Sequence, residues 1–300
     1  MNLKPISRDA AEAVAPGCSR RGFVSGLAGS AALLGLSPAL AAAAPAWAGA
    51  SRPGLLWSTR QRSIALAYAE QHRALLQVIE AQSAAVVQGA GRSFVVPVAL
   101  HLPLRGIQSA WMASDEVLCL LDGHNTTMHR YRIDGTPLGS SRLRDAGQQL
   151  AAQGCADGTG GSYLTLPTAH CMVRLSASGE VVQRFGRLGT AEGGLNFPTA
   201  VARQDDGSLV VANTGNHRID RFGADGGFLQ TLARFHFAPV RMAVSGGVAA
   251  VHDPHAERLR LLCLRDGGML DALVLPKAPA GAQAWRALSA AGGQRFVVSV

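Results

Sequence analysis

The sequence predicts an all-β fold, a six-bladed β-propeller, for the part of the chain that follows an N-terminal leader. The first observation is the spacing of the glycines that close tight turns. Gly135, Gly179, Gly226 and Gly267 lie 44, 47 and 41 residues apart by subtraction of their numbers. Four-stranded propeller blades repeat about every 40 to 45 residues, so this spacing predicts a series of blades.

The second observation is the strand pattern around these turns. Within residues 258–263, Leu259 and Leu261 alternate with Arg258 and Arg260, which is the period of a strand with one buried face. Asp-Gly and Ser-Gly pairs separate such strands. Glycine at these places predicts tight hairpin turns with positive φ.

The third observation is the number of copies. An apolar strand, a polar turn and a second strand recur from residues near 64, 117, 163, 209 and 248, and residues 295–300 begin a further copy. Residues 53–59 are predicted to complete that last sheet, because a propeller closed in this way has no open edge. The count gives six blades. Seven is the alternative, since residues 93–98 could form another strand pair.

The chain divides into a targeting segment, residues 1–50, and a propeller domain, residues 51–300. The segment contains Arg20 and Arg21, with a Ser before the pair and a Phe two places after it, and then a long uncharged run. This pattern is typical of a twin-arginine signal, which directs export of a folded protein. It predicts a periplasmic or other extracytoplasmic location. An uncleaved membrane anchor is the alternative, but the Gly, Ser and Pro content of the run favours cleavage and no remaining membrane span.

Charge and cysteine content restrict the classes of partner. The chain has 28 Lys plus Arg and 20 Asp plus Glu, a formal net charge of +8. The basic residues form no dense run, which argues against a nucleic-acid partner. Cys119, Cys155, Cys171 and Cys263 remain after cleavage and follow no metal or haem spacing. If one disulfide forms, Cys155 with Cys171 is the expected pair, because both fall within one predicted blade.

Residues 185–232 resemble the NHL repeat, a propeller-forming unit. The matching residues are Phe185-Gly186, Gly189, Gly193-Gly194, Phe197-Pro198, Ala202, Asp206-Gly207, Val210-Val211-Ala212, Thr214-Gly215-Asn216-His217-Arg218-Ile219, Phe222 and Gly226. One departure is Asn213, where the family usually has an Asp paired with the downstream Arg. The resemblance implies structural roles for Asn213, Asn216, His217 and Arg218, with the Asn213 amide expected to bond Arg218.

The histidines give little support for a metal site. His72, His124, His170, His217 and His255 occupy equivalent turns of successive copies, so each is expected to hold its own hairpin. His252, Asp253 and His255 form the one local cluster with metal-ligating residue types. Its alternative interpretation is a polar loop with a turn at Pro254. No metal and no cofactor are predicted.

Three arginines, Arg203, Arg241 and Arg286, fall on segments predicted to line the central channel. If they point inward, they favour an acidic partner or an anionic small molecule; the alternative is that they lie in solvent at strand ends. Motifs for a nucleophile elbow, a zinc protease or a phosphate loop are absent from the sequence. The leading hypothesis is therefore a non-catalytic binding or scaffold module for a protein partner or anionic ligand. The alternative, implied by related propellers, is a lactonase or lyase with a divalent metal in the channel.

Overall fold

The computed structural model describes residues 54–59, 63–69, 74–81, 84–90, 100–102, 107–122, 126–143, 152–256, 258–275, 287–290 and 294–299. The export signal predicted from Arg20 and Arg21 lies outside these ranges, as do residues 93–98. Within them, no helix is long and apolar enough to cross a membrane.

The strands, numbered β1 to β23 in chain order, form sheets of neighbours along the chain. After β1 (Gly54–Thr59), a first sheet contains β2 (Ser63–Ala69), β3 (Ala74–Ala81), β4 (Ala84–Ala90) and β5 (Leu100–Leu102). A second sheet contains β6 (Ile107–Ser114), β7 (Val117–Asp122), β8 (Thr127–Arg132) and β9 (Pro137–Arg142). Each strand pairs with the next in antiparallel register, as expected for a chain of hairpins.

Three further sheets follow. The third contains β10 (Gly154–Ala156), β11 (Ser162–Leu166), β12 (Cys171–Leu175) and β13 (Val181–Phe185). The fourth contains β14 (Pro198–Arg203), β15 (Leu209–Asn213), β16 (Arg218–Phe222) and β17 (Phe228–Arg234). The fifth contains β18 (Met242–Ser245), β19 (Val248–Asp253), β20 (Arg258–Cys263) and β21 (Met269–Val274).

A closing sheet joins the two ends of the domain. It contains β22 (Ala287–Ala290), β23 (Arg295–Ser299) and β1, in the order β1-β23-β22. β1 runs parallel to β23, with Gly54 opposite Arg295. The prediction that the N-terminal segment completes the last sheet is confirmed. The sequence alignment of the first copy is corrected by one strand: residues 64–68 lie in the first strand of their sheet, whereas residues 209–212 lie in the second strand of theirs.

The hydrophobic core lies between neighbouring sheets. Ala200, Val210 and Ala212 of the fourth sheet pack with Met242 and Val251 of the fifth. Stacking of sheets through their faces around an axis is the arrangement of a β-propeller. Four blades, the second to fifth sheets, are described with most of their side chains, compared with the six predicted from the repeat. The first and closing sheets are described mainly by their backbone pairing.

The turn glycines have the predicted conformation. Gly135, Gly179, Gly226 and Gly267 have φ values of 94°, 88°, 84° and 74°. A side chain makes this left-handed region costly, so glycine is favoured there. These turns fix the register of the hairpins and hence the faces that carry the site.

Candidate functional site

A cavity of about 500 Å³ lies where the first strands of the sheets begin. Its wall includes residues from the beginnings of β6, β14, β18 and β22, from β2, and from the segment before β10. The lining residues are Ala65, Leu66, Ile107, Gln108, Ser109, Ala110, Ala152, Gln153, Thr199, Val240, Arg241, Met242 and Leu288. The cavity is therefore the mouth of the central channel, as predicted for the segments that contain residues 107–112, 198–203 and 239–244.

The cavity wall combines amides and hydroxyls with one guanidinium. The Gln153 amide donates to the Met242 carbonyl at 3.4 Å, and the Thr199 hydroxyl donates to the Val240 carbonyl at 2.8 Å. Ser109 Oγ accepts a bond from the Gly154 N–H at 3.4 Å. Among the described lining residues there is no Asp, Glu, His or Cys, and Arg241 is the one charged side chain. This wall is suited to hold a polar or anionic group.

The three candidate arginines do not converge within the described residues. Arg241 lines the cavity and is partly buried. Arg203 lies at the opposite end of its strand, where it is exposed and its guanidinium packs over Gly158. Arg286 lies outside the described residues. Gln108, Gln153 and Thr199 were not predicted as site residues. Gln108 and Thr199 lie on inner strands, where strand alternation could have indicated them, whereas Gln153 precedes β10.

The residues proposed as a weak metal cluster point to different partners. Asp253 is fully buried and accepts bonds from Arg260 Nε at 2.9 Å and from the His255 N–H at 3.0 Å. His252 is the preceding residue on β19, so its side chain faces the other side of the sheet. Burial, and then the Arg241 charge, lower the pKa of His252. Within the described ranges, no group of three His, Cys, Asp or Glu side chains could hold a metal ion.

Asn213 and Arg218 meet through a carboxylate that the sequence analysis did not include. Asn213 Nδ2 and Arg218 Nε both donate to Asp220 Oδ2 at 2.7 Å. The expected direct bond between Asn213 and Arg218 is replaced by this shared acceptor, because the amide oxygen of Asn213 accepts the Asn196 N–H at 2.8 Å. Asp220 could have been found from sequence, since residues 218 and 220 share one face of β16.

Arg218 also holds the segment that connects the third and fourth sheets. Its side chain is 2% exposed, and its terminal nitrogens donate to the carbonyls of Thr190 at 2.9 Å, Ala191 at 2.9 Å and Gly194 at 3.0 Å. Asn216 Nδ2 donates to the Gly189 carbonyl of the same segment at 2.9 Å. These contacts bind the fourth blade to the connection that precedes it.

The equivalent histidines close their hairpins through the backbone. His170 and His217 have φ values of 52° and 55°, and each donates its N–H to the start of a single 3-10 turn. His170 Nδ1 additionally accepts the Phe197 N–H at 3.1 Å, across to the next connection. These contacts are of the kind that a structural role for His170 and His217 requires, whereas His72 and His124 lie outside the described residues.

In the fifth sheet the buried carboxylate is on the second strand, whereas in the fourth sheet it is on the third strand. Asp253 on β19 pairs with Arg260 on β20, whereas the fourth sheet has Asn213 on β15 and Asp220 on β16. In the fifth sheet Arg260 lies opposite Val251 and therefore on the same face as Asp253. In the fourth sheet Asp220 lies opposite Val211 and therefore on the same face as Asn213. The departure from the expected Asp at residue 213 is thus compensated by Asp220.

The four cysteines in the described part of the chain are free thiols. The expected Cys155–Cys171 disulfide is wrong, because β11 lies between their strands. Neighbouring strands are about 4.8 Å apart, so two intervals exceed the Cα separation that a disulfide spans. Burial raises the pKa of Cys155 and of Cys119 to about 12, so both thiols remain protonated.

Comparison with known proteins supports the fold and leaves the family open. No family model matches the chain, and no curated protein sequence matches it. A chain of the nidogen/laminin complex is similar over 80% of this chain and 86% of that chain, with a TM-score of 0.58 and 14% identity. Virginiamycin B lyase from Staphylococcus aureus is similar over 78% of this chain and 76% of the lyase chain, with a TM-score of 0.57 and 11% identity. The WD40 propeller domain of Doa1 is similar over 75% of this chain and 71% of the Doa1 chain, with a TM-score of 0.53 and 12% identity.

The chain folds as a β-propeller. Its similar structures include a chain of a protein complex and a lyase, so the shared fold is compatible with binding and with catalysis. The residues at the channel mouth must therefore carry any argument about function.

The buried carboxylates predict loss of stability in acid. Burial alone would raise the pKa values of Asp253 and Asp157, but bonds from Arg260 to Asp253, and from Thr159 and Arg174 to Asp157, lower both. The unfolded chain takes up these protons near pH 3.9, whereas the folded chain takes them up at lower pH. Their contribution is therefore present above about pH 3.9 and is lost as pH falls through the lowered pKa values.

We expect the free energy of unfolding, measured by urea titration, to fall steeply below about pH 4. Asp253→Asn should lower stability at neutral pH and make this acid dependence shallower. Asp205→Asn, at an exposed hairpin, is the matched control for removal of one carboxylate and should leave stability at neutral pH unchanged. An Asp253→Asn profile parallel to that of the parent would contradict the assignment.

Proposed function

We propose that the protein is an exported six-bladed propeller of the NHL type that acts as a non-catalytic binding or scaffold module. Its partner is a protein or an anionic ligand held at the channel mouth. The observation that carries this function is the composition of the cavity wall. It offers Arg241, amides and hydroxyls for recognition, while the described lining residues include no side chain suited to general acid or base chemistry.

The six-blade count is supported by the contacts of the first strands. β2, β6, β10, β14, β18 and β22 each contact the next in this order, and β22 contacts β2. The pairing of β1 with β23 adds support, because it completes a sheet from both ends of the domain. Export in the folded state is supported only by the sequence pattern of the leader, which has the arginine pair at residues 20 and 21 followed by a long uncharged run.

The function is tested by chemical crosslinking in cells that secrete the parent protein or Arg241→Glu. We expect the parent to form a specific crosslinked complex and the variant to lose most of it without a change in melting temperature. Arg203→Glu, which reverses a charge at the other end of β14, is the matched control. Purified protein should also contain no stoichiometric metal.

Two results would contradict the proposal. One is a tightly bound divalent metal together with hydrolysis of a lactone or ester that a chelator abolishes. The other is an equal loss of the complex in Arg203→Glu. Export has its own test: replacing Arg20 and Arg21 by Lys should retain the precursor in the cytoplasm.

A further inference from the structure

The two faces of the propeller differ in charge. We call the mouth face the one at which the first strands of the sheets begin, and the hairpin face the one at which they end. Antiparallel pairing places the ends of β9, β17 and β21, the beginning of β20 and the connections between sheets on the mouth face. The tight turns between the first and second strands, and between the third and fourth, lie on the hairpin face.

Among the described residues of the mouth face, arginines are the main exposed charged side chains. Exposed or partly exposed arginines there are Arg142, Arg187, Arg234, Arg241 and Arg258. Glu192 is the one exposed carboxylate among the described residues of this face, because Asp122, Asp220 and Asp253 are buried.

The hairpin face carries both signs of charge, because the exposed arginines Arg132, Arg203, Arg265 and Arg295 lie there together with most of the exposed carboxylates of the described residues. Exposed carboxylates in its turns include Asp134, Glu180, Asp205, Asp225 and Asp266. Since these exposed carboxylates lie across the ring from the cavity, the described exposed residues of the mouth face carry a net positive charge.

Large apolar side chains are exposed at the hairpin-face ends of the fourth strands, at Leu138, Val182, Leu229 and Met269, and also on the mouth face. Leu188 is 64% exposed, Val240 48% and Phe197 44%, all within connections that lead into first strands. Val240 also lines the cavity. Phe197 has a φ of 50°, which a bulky residue rarely adopts, and its N–H is held by His170 Nδ1.

We propose that the mouth face binds an acidic segment of a partner protein that also carries apolar side chains. This inference rests on the proposed binding function and specifies its partner. Carboxylates of the segment pair with the arginines, and its apolar side chains cover Leu188, Phe197 and Val240, of which Val240 also lines the cavity. A nucleic acid would neutralise the arginines but leave these apolar side chains uncovered. A lipid surface does not fit a concave mouth lined by Gln153 and Thr199.

The test measures binding of two fluorescent synthetic peptides to the purified full domain. One alternates Asp and Glu with Leu and Trp, and the other replaces Leu and Trp by Ser. We expect the first to bind, the second to bind at least about tenfold more weakly, and both to weaken as NaCl rises from about 0.05 to about 0.5 M. The double variant Arg187→Glu/Arg234→Glu should lower affinity for the first peptide at least about tenfold.

The matched control is Arg265→Glu on the hairpin face, where the side chain is 62% exposed. It makes the same kind of charge reversal at one site, which is half the charge change of the double variant, and it should leave peptide affinity nearly unchanged. Equal affinity for both peptides, or equal loss in the control, would overturn the inference. So would preferential binding of anionic vesicles or of single-stranded DNA. A crosslinked partner whose capture is insensitive to salt and to Arg187→Glu/Arg234→Glu would leave the binding function standing and overturn the acidic segment.

Discussion

Arg218→Ala is expected to lower the free energy of unfolding by about 3 to 5 kcal/mol, because it breaks a buried ion pair by removing one partner. Asp220 is fully buried and would keep bonds from Asn213 and Thr231 but lose the guanidinium. The carbonyls of Thr190 and Ala191 would lose their Arg218 donors at the same time. A shift of the urea midpoint with unchanged slope would measure this loss.

The matched control for this variant is Arg265→Ala. Its guanidinium pairs with Asp266 at 3.5 Å, and both side chains are exposed. Exposed pairs contribute about 0 to 1 kcal/mol, so the control should unfold close to the parent. If Arg218→Ala melts like the parent but loses a bound partner, the structural role assigned to Arg218 is wrong.

Gly267→Ala is expected to lower stability by about 3 kcal/mol, through a strained φ and a steric clash. Gly267 has a φ of 74°, and a Cβ built on it would lie 2.3 Å from the Leu232 carbonyl oxygen. That oxygen belongs to β17 of the neighbouring blade, so the clash would separate two blades rather than disturb one turn.

Gly247→Ala separates the two causes. Its φ of 75° is almost the same, but no atom lies within 4 Å of the added Cβ. The control should therefore cost only the conformational strain, about 1 kcal/mol. Thermal unfolding of both variants measures the difference. Equal melting temperatures would show that the close approach of residue 267 to the Leu232 carbonyl oxygen does not affect stability.

Local signals allowed much of the fold to be predicted from the sequence. Positive φ at Gly226 and Gly267 follows from turn chemistry within four residues, and the alternation in β20 follows from burial of one face. The alignment of residues 64–68 was displaced by one strand, because apolar strands of the first and second position have the same composition. Only pairing with distant strands distinguishes these positions.

The site was less predictable because it is assembled from distant segments. Arg203 and Arg241 both fall near inner strands, but the direction of the strand puts one at each end of the channel. Asp220 was not predicted, because the resemblance to the NHL repeat places the acidic residue at position 213, where this chain has Asn. The buried carboxylate lies on β16, the strand paired with the one that carries residue 213, and composition alone does not show this.

The position of β23 between β22 and β1 has a consequence for the order of folding. The ribosome makes β23 after every other described strand, yet β1, among the first to emerge, needs it as a neighbour. During synthesis β1 therefore keeps an unpaired edge, and a ring joined in this way closes only after translation of the domain is complete. The export in the folded state proposed above would suit such a chain, because an unfolded chain exported during synthesis would carry β1 across the membrane before β23 had been made.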